Sequence, residues 1–277
     1  MKKNPRRAWI AAALTLLLPG LGQLYAGEGR KGVSLSLGFV ALFAGMLLLK
    51  VPRSFLGLVV FVLAILAYLV WTAWDAARIA RYRPIFTLRP YNRWYLYLAL
   101  TVAGGLVASQ IVRFSPIRTF RLVSANMEST IHEGDLFFAD LTYYRGAAPG
   151  RGDVVLFERA GRPGNWSVAR VIGLPGEEIQ VRDKRVLLDG RPFPDRWAHH
   201  TDPAIHPVNA LFPGPLRQRD QYPARIVPAG TVFLLGDSRD NSYDSRFLGP
   251  VPLSALRGRV LYVYWSADGA GIGRPLR

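Results

Sequence analysis

The chain has 277 residues, half of them hydrophobic, a formal net charge of +16 and no cysteine. This length suggests about two domains, and the lack of cysteine excludes disulfides, cysteine nucleophiles and cysteine-ligated metal sites. Thirteen basic residues and only two acids lie in residues 1–112. There they accompany apolar runs, as expected for topology determinants and contacts to anionic lipid headgroups. Nucleic acid is not predicted as a partner, because the basic residues form no patch interleaved with aromatic residues.

The N-terminus, residues 1–7, is basic, and an apolar run over residues 8–18 ends at Pro19 and Gly20. A short apolar run after a basic start is typical of a signal peptide. Here the apolar character resumes at once through Tyr25, and no small-x-small cleavage site precedes a soluble domain. We therefore expect this segment to be retained. Its PGLGQLYAG stretch resembles the start of small helical-hairpin membrane modules.

Three longer apolar runs follow at residues 33–49, 55–74 and 95–112. Each is long enough to cross about 30 Å of hydrocarbon as a helix. Aromatic residues lie near their ends, where aromatic belts belong: Trp71, Trp74, Trp94, Tyr95 and Tyr97.

The loop between the second and third runs is strongly basic, which predicts a cytoplasmic location. It contains Arg78, Arg81, Arg83, Arg89 and Arg93. The basic N-terminus is also expected inside, which requires residues 8–25 to be re-entrant or interfacial. The sequence thus predicts three crossings, with a fourth as the alternative. In either case residues 113–277 are expected to be extracytoplasmic.

From Thr119 onward, short β-type runs alternate with Gly and Pro turn signals, which predicts antiparallel sheets. Eight prolines between residues 191 and 229 predict a long irregular insertion, a lid or a cap. The predicted domains are a membrane domain (1–112) and a mostly-β domain (113–277) with that insertion. The predicted strands are 153–157, 167–172, 178–181, 185–188, 231–235 and 259–265, with a short helical turn at 253–256.

Four segments of the polar half carry the chemical signal. They are SANMESTI at residues 124–131 closed by Gly134 and Asp135, RGDVV at 151–155, ARVIGLPGE at 169–177, and GDSRDNSYDSR at 236–246. In this order, behind membrane spans, they resemble the bacterial type I signal peptidases, also called leader peptidases. The resemblance implies N-terminal transmembrane helices, a mostly-β extracytoplasmic domain and a place in the bacterial inner (plasma) membrane. The family reaction is endoproteolytic removal of signal peptides from preproteins.

By this resemblance the catalytic positions are Asn126, where the family has its nucleophilic serine, and Ala169, where it has its general-base lysine. We therefore expect Asn126 and Ala169 to lie side by side on neighbouring strands. In the family mechanism a desolvated, neutral lysine takes the proton of the serine, and nearby hydroxyls and amides stabilise the oxyanion. An alanine cannot accept a proton. The histidine that eukaryotic relatives use at this position is absent too.

Other positions match residues that support the family's site. The resemblance implies that Ser124 is an oxyanion-hole hydroxyl, that Ser242 would hydrogen-bond the missing lysine, and that Asp244 and Arg246 form a bracing ion pair. It places Met127 beneath the substrate groove, although an ordinary core role is equally compatible. Ser129 occupies the position of a family proline.

Lys184 is the sole lysine after residue 112, and its place in a hairpin turn predicts a solvated side chain. The four histidines (His132, His199, His200 and His206) lack metal-ligand spacing. We predict neither a metal nor a cofactor.

Three functions are compatible with these residues. The first is a membrane-anchored homologue without the dyad that binds signal peptides, preproteins of Ala-x-Ala type or an active signal peptidase paralogue. The second is an active signal peptidase with an unrecognised nucleophile such as Ser124, or one inactivated by substitution at these two positions. The third is a structural membrane module.

Overall fold

A computed structural model describes residues 6–82, 90–159, 164–207, 218–269 and 271–276. The chain divides into two compact units, one of Met1–Pro52 with Leu56–Pro116 and one of Arg53–Phe55 with Ile117–Arg277. Parts of the predicted basic N-terminus and basic loop (residues 1–5 and 83–89) and of the predicted insertion (208–217) lie outside the described residues.

The first unit is helical where it is described. Its helices are α1 (Ala8–Leu17), α2 (Leu21–Tyr25), α3 (Gly29–Leu48), α4 (Phe55–Tyr82) and α5 (Trp94–Arg113). Within the described residues, three helical segments are long and apolar enough to cross a membrane: Gly29–Arg53, Phe55–Tyr82 and Trp94–Arg113. They contain the three predicted runs. With 10 residues, α1 is shorter than a membrane span requires.

The break between α1 and α2 falls at Pro19 and Gly20, where the sequence predicts it. Gly20 has a φ of +99°, and a Cβ there would approach Gly32 O to 2.0 Å. A side chain at this position would therefore be excluded by both the backbone conformation and the neighbouring helix. Gly32 makes the same close approach from α3, since its Cβ would lie 2.6 Å from Gly20 O. Two glycines thus let the broken N-terminal segment pack directly on α3.

A polar cluster joins α2, α3 and α4. The fully buried Gln23 donates from Nε2 to Thr72 O (2.8 Å) and to Asp75 Oδ2 (3.1 Å). Lys31 Nζ lies 2.7 Å from Asp75 Oδ1. Because buried polar groups are costly unless they are hydrogen-bonded, this cluster fixes the three helices relative to one another.

The second unit contains two sheets whose paired strands are all antiparallel. The larger has the strand order β1-β2-β11-β3-β4-β9-β10 and the smaller the order β7-β6-β5-β8. The antiparallel β domain predicted from the sequence is therefore confirmed. The strands are β1 (Ile117–Arg121), β2 (Leu136–Asp140), β3 (Val154–Glu158), β4 (Trp166–Gly173), β5 (Glu178–Arg182), β6 (Arg185–Leu188), β7 (Arg191–Pro192), β8 (Tyr222–Ile226), β9 (Thr231–Leu235), β10 (Val251–Pro252) and β11 (Leu256–Trp265).

The six predicted strands are present, but the prediction missed others. It omitted β1 and β2, and it treated all of residues 191–229 as irregular although β8 closes that segment. Pro223 is compatible with β8 because β8 is an edge strand of the smaller sheet, where a missing N–H donor costs no ladder bond. The short helical turn predicted at residues 253–256 is a 3-10 turn at Leu253–Ala255.

The core of this unit lies on both faces of β4. Val168 packs in a cluster with Met127, Phe137 and Val260. Its neighbour Ala169 packs in a second cluster on the other face of the strand. Successive side chains of a strand point to opposite faces, so Val168 and Ala169 lie in different surroundings.

Candidate active site

Asn126 lies in a single 3-10 turn, Ala125–Met127, rather than on a strand. The sequence prediction placed it on a strand beside Ala169, so the local conformation was wrong. The turn packs against β4, and Asn126 Nδ2 donates to Val168 O over 2.5 Å. The neighbouring position, Ala169, is on the same strand. The structure therefore brings Asn126 against the strand that contains Ala169, across 42 intervening residues of the sequence.

Both ends of the Asn126 carboxamide are engaged. Ser124 Oγ donates to Asn126 Oδ1 over 2.6 Å, while Nδ2 faces the Val168 carbonyl. This orientation is fixed by chemistry, because the carbonyl requires a donor and the reverse placement would set two acceptors against each other. The backbone of Asn126 is held as well, since Ser238 N donates to Asn126 O at 3.0 Å.

Ala169 is 1% exposed and sits in an apolar cluster. Its neighbours there include Val155, Phe157, Val171 and Leu234. Such surroundings disfavour a charged ammonium and would lower the pKa of a lysine at this position. The apolar surroundings that would keep a lysine base neutral are therefore present, but the side chain they enclose is the methyl group of Ala169.

Tyr144 packs against this cluster and is the one ionisable side chain among its described members. Burial raises the pKa of Tyr144, and the negative charge of Asp153 raises it further. Its hydroxyl is 3.2 Å from Asp153 Oδ2 and donates to it. At neutral pH this phenol keeps its proton, so it is not a substitute base.

The Ser242 hydroxyl is buried and has no hydrogen-bond partner in the described part of the chain. It lies beside Gly236, because a Cβ on Gly236 would come within 2.2 Å of Ser242 Oγ and 2.6 Å of Asn126 O. Continuing the β4–β9 register, in which Arg170 pairs with Leu235, puts Gly236 opposite Ala169. The Ser242 hydroxyl, which has no partner among the described residues, therefore lies on the Ala169 side of the site, where the methyl group of Ala169 offers it no hydrogen bond.

A fully buried ion pair supports the loop after β9. Arg170 donates from Nε and Nη2 to the two carboxylate oxygens of Asp237 at 2.8 and 2.6 Å, and both side chains are 0% exposed. Thr130 Oγ1 adds a bond to Asp237 Oδ2, and the guanidinium also lies over the Trp197 ring. Because Arg170 follows Ala169 directly, this pair fixes the strand position of the site.

Asp244 and Arg246 form the ion pair that the sequence predicts, at 2.9 Å between Oδ2 and Nη2. Both are almost fully buried. Asp244 also accepts from Gly236 N, and it caps the short helix α6 (Ser245–Leu248) through Arg246 N. The pair therefore holds the Gly236 backbone in place beside Asn126.

Comparisons with known proteins identify the family of this chain. The sequence model of the family described as "Signal peptidase, peptidase S26" matches residues 93–265 of this chain. The chain belongs to this family. Signal peptidase I of Leptolyngbya laminosa is 33% identical over 172 residues, which cover 57% of this chain and 77% of that protein.

More distant relatives have similar names. The probable signal peptidase I-2 of Synechocystis is 28% identical over 188 residues, covering 66% of this chain and 78% of that protein. The crystal structure of a signal peptidase I from Enterococcus faecalis is 24% identical, covers 41% of this chain and 97% of that chain, and superposes with a TM-score of 0.30.

Lys184, in the signal-peptidase domain, is not the solvated turn residue predicted from the sequence. It does occupy a turn, with a φ of +67°, but its side chain is only 10% exposed. Its Nζ donates to Asp202 O (2.6 Å) and Asp240 Oδ1 (3.0 Å). The ammonium is therefore committed to an ion pair, which the sequence could not reveal because Asp240 lies 56 residues away.

Asp240 joins the predicted insertion to the last signature segment. Its carboxylate accepts from the backbone of Thr201 and Asp202, and it lies beside Lys184 and His200. Burial alone raises the pKa of Asp240, but hydrogen bonds from the Asp202 N–H, Lys184 and His200 outweigh it and lower the pKa to about 2. The carboxylate is thus charged at neutral pH and anchors residues 199–202 to the signature loop.

A groove of about 200 Å³ is lined by Ser124 and Val168, the two residues that the Asn126 side chain contacts. One wall is the extension of β1 over residues 121–124, and the other is the start of β4 with Asn165. Leu122 already bonds Asp135 and Gly134 through its N–H and C=O, so Arg121 and Val123 turn theirs to the open edge. On β4, Trp166 and Val168 also face the open edge, because β9 pairs only from Arg170 onward.

Met127 and Ser129 do not line this groove. Met127 is 0% exposed and packs in the core cluster beneath the groove without lining it. Ser129 is exposed, and its hydroxyl reaches only Trp197 O at 3.5 Å. Sequence reasoning also missed the Val168 carbonyl, which carries no side-chain signal, and the Arg170–Asp237 pair, whose two charges were visible within the matching segments.

Proposed function

We propose that this protein binds extended, signal-peptide-like segments of exported preproteins without cleaving them. The observation that carries the proposal is the pairing of a hydrogen-bonded carboxamide at Asn126 with a buried methyl group at Ala169, beside an otherwise complete site. The ion pairs of Arg170 and Arg246 and the open groove remain.

The chemistry at these two positions opposes peptide hydrolysis. A carboxamide nitrogen is a poor nucleophile because its lone pair is delocalised, and alanine cannot accept a proton. Loss of the nucleophile or of its base costs on the order of a millionfold in turnover in a comparable serine hydrolase. The remaining interactions would bind a peptide but would not activate an attacking group.

Substitute groups are not well placed either. Ser124 Oγ donates to the Asn126 amide oxygen, which is too weak a base to take its proton. Lys184 is held by Asp240. These contacts favour binding over the alternative of an active enzyme with an unusual nucleophile.

The groove favours peptide binding over a purely structural role. In the described part of the chain, its two walls turn the backbone groups of Arg121, Val123 and Trp166 and the N–H of Val168 to the open edge, while the Val168 carbonyl accepts from Asn126. An extended segment inserted between them would hydrogen-bond to both edges, which is the usual geometry of β-strand addition. An active signal peptidase paralogue is a further partner, since a protein that holds preproteins without cutting them would pass them on.

The predicted location is the bacterial inner membrane, with the signal-peptidase domain outside. The three apolar helical segments and the basic residues Arg78 and Arg81 at the end of α4 support this arrangement. Protease added to intact spheroplasts should degrade the domain and spare α3 to α5. Full protection of the domain would contradict this topology.

A cleavage and binding assay on the full chain in detergent tests the function. A preprotein with an Ala-x-Ala signal peptide should remain intact after prolonged incubation, while a fluorescent signal peptide should bind with measurable affinity. A cleaved preprotein would show that another nucleophile is used. A protein that neither binds nor cleaves would leave the structural membrane module as the function.

A further inference from the structure

The Val168 carbonyl is the backbone acceptor of β4 that lies at the Asn126 end of the groove. Val168 pairs with Leu156 of β3, but its own N–H and C=O point to the opposite, open edge of the strand. Without a competing donor from the protein itself, this carbonyl would be free to accept a hydrogen bond from the N–H of an incoming peptide. Here it is already occupied by Asn126 Nδ2 at 2.5 Å.

The second polar group at this end is also taken up internally. Ser124 lies on the opposite wall of the groove, and its hydroxyl donates to Asn126 Oδ1. One carboxamide therefore bridges the two walls of the groove, from Ser124 to Val168. A serine at position 126 would have to make both contacts through one oxygen on a shorter side chain.

We infer that the Asn126 side chain is an internal competitor for the peptide groove: it closes the end of the groove by taking up its backbone acceptor, and a bound peptide must displace it. The inference rests on the proposed peptide binding and concerns the same site. It assigns to Asn126 a positive function, the control of peptide affinity and of the depth to which a peptide enters.

The size of the effect follows from hydrogen-bond exchange. A peptide N–H that replaces Asn126 Nδ2 on Val168 O gains one bond while the protein loses one, so this contact adds nothing to affinity. When the competitor is removed, the peptide keeps the full net value of that bond. A typical net hydrogen bond corresponds to about a threefold to tenfold change in dissociation constant.

The test compares the full chain with Asn126→Ala in detergent, using fluorescence anisotropy of a labelled eight-residue peptide ending in Ala-x-Ala. Asn126→Ala should bind about threefold to tenfold more tightly. Asn241→Ala is the matched control, because Asn241 is an exposed asparagine that lines no part of the groove. Its affinity should equal that of the natural protein.

A second measurement follows the Asn126 side chain in the natural protein, so that the test does not depend only on the affinity of a variant that could misfold. In protein labelled with ¹⁵N-asparagine, the Asn126 side-chain NH₂ signals, identified by their absence in Asn126→Ala, should shift and exchange faster when peptide is added. If the natural protein binds peptide with those signals unchanged and Asn126→Ala has the same affinity, the inference is overturned and the proposed function stands. If neither protein binds any peptide, the proposed function fails and the inference with it.

Discussion

The site has two regions: the buried charged residues around it, which we call the frame, and positions 126 and 169 at its centre. The two regions differ in how much folding stability a substitution would cost. Arg170, Asp237, Asp244 and Arg246 are buried, and each carboxylate or guanidinium depends on its partner. Removing one member leaves an uncompensated buried charge, at about 3–5 kcal/mol. Ala169, in contrast, fills an apolar cluster that would have to desolvate a lysine.

We infer from this difference that the nucleophile and the base of such a site can be replaced at a smaller cost in folding stability than the ion pairs of the frame. A desolvated catalytic lysine is destabilising, so its replacement by alanine is neutral or favourable for folding. Loss of the frame, however, would endanger the fold. A chain with an intact frame and no dyad is therefore a stable end point, and the following experiments test whether the two regions are as separable as this comparison implies.

The largest expected effect is restoration of cleavage. Asn126→Ser together with Ala169→Lys should remove signal peptides, which we propose the natural protein does not do, because the apolar cluster would keep the new lysine neutral and Ser242 would orient it. The two single variants should remain inactive, since nucleophile and base act as a unit. Cleavage of a preprotein in detergent is the measurement.

Ser129 determines how complete that restoration is. The family's proline rigidifies the turn beyond the nucleophile, and a loose turn would misplace the new hydroxyl. Adding Ser129→Pro should therefore raise the rate of the double variant. A folded double or triple variant that binds peptide but does not cut it would mean that the frame has drifted from the geometry catalysis needs.

The next effect is on folding. Asp237→Asn should lower the free energy of unfolding by about 3–5 kcal/mol, because it leaves the fully buried Arg170 without its counter-charge. The control is Glu158→Gln, whose partner Arg257 is 39% exposed, so that water and salt screen the pair and its loss should cost much less. Urea unfolding of the full chain in detergent, followed by tryptophan fluorescence, compares the two. Equal losses would refute the importance given to the buried frame.

A smaller effect is expected at Lys184. Lys184→Met should cost about 1–3 kcal/mol at neutral pH, because Asp240 loses its closest cation but keeps its two backbone donors. The pKa of Asp240, about 2 in the folded protein, lies below the unfolded value near 3.9. The stabilisation from Asp240 is therefore complete above about pH 4 and is lost as the pH falls toward 2.

In Lys184→Met the acid-induced loss should begin at higher pH, because the folded pKa of Asp240 rises. Arg182→Met, on the exposed end of the same hairpin, is the control and should keep the original pH profile. Stability measured by urea unfolding between pH 2 and pH 7 gives both curves. Identical curves for the two variants would show that Lys184 and Asp240 do not depend on each other.

The smallest effect is expected at Ser242. Ser242→Ala in the natural background should raise stability by about 0.5–1 kcal/mol, because it removes a buried hydroxyl that has no partner in the described residues. In the restored double variant the same change should lower the rate of cleavage, since the lysine would lose its orienting contact. A loss of stability in the natural background would indicate that the hydroxyl is already hydrogen-bonded.

The sequence predicted the parts of this fold that depend on local pattern. Apolar length alone located α3, α4 and α5, and runs rich in β-branched residues located β3, β4 and β9. It missed β1, β2 and β8, which are five residues long. The first two contain charged residues and flank the segment interpreted as catalytic, and β8 contains a proline that its edge position permits.

The site divides in the same way. Matching segments were enough to bring Asn126 near Ala169, and the roles carried over from the family stay predictions. The partner of Lys184 and the occupant of the Val168 carbonyl could not be predicted, because both contacts join residues more than 40 positions apart through a polar atom. Contacts of this kind depend on how the strands are packed and leave no periodic signal in the sequence.

The buried Gln23 also bears on the order in which the helical unit is completed. Its side-chain amide donates to Thr72 O and to the Asp75 carboxylate, which are synthesised about fifty residues after Gln23. A polar side chain inside the membrane is costly without a partner. We therefore expect residues 8–25 to stay at the lipid surface until α4 has been made, and to pack against α3 and α4 only then. An early segment of the helical unit would thus be among the last to reach its final position.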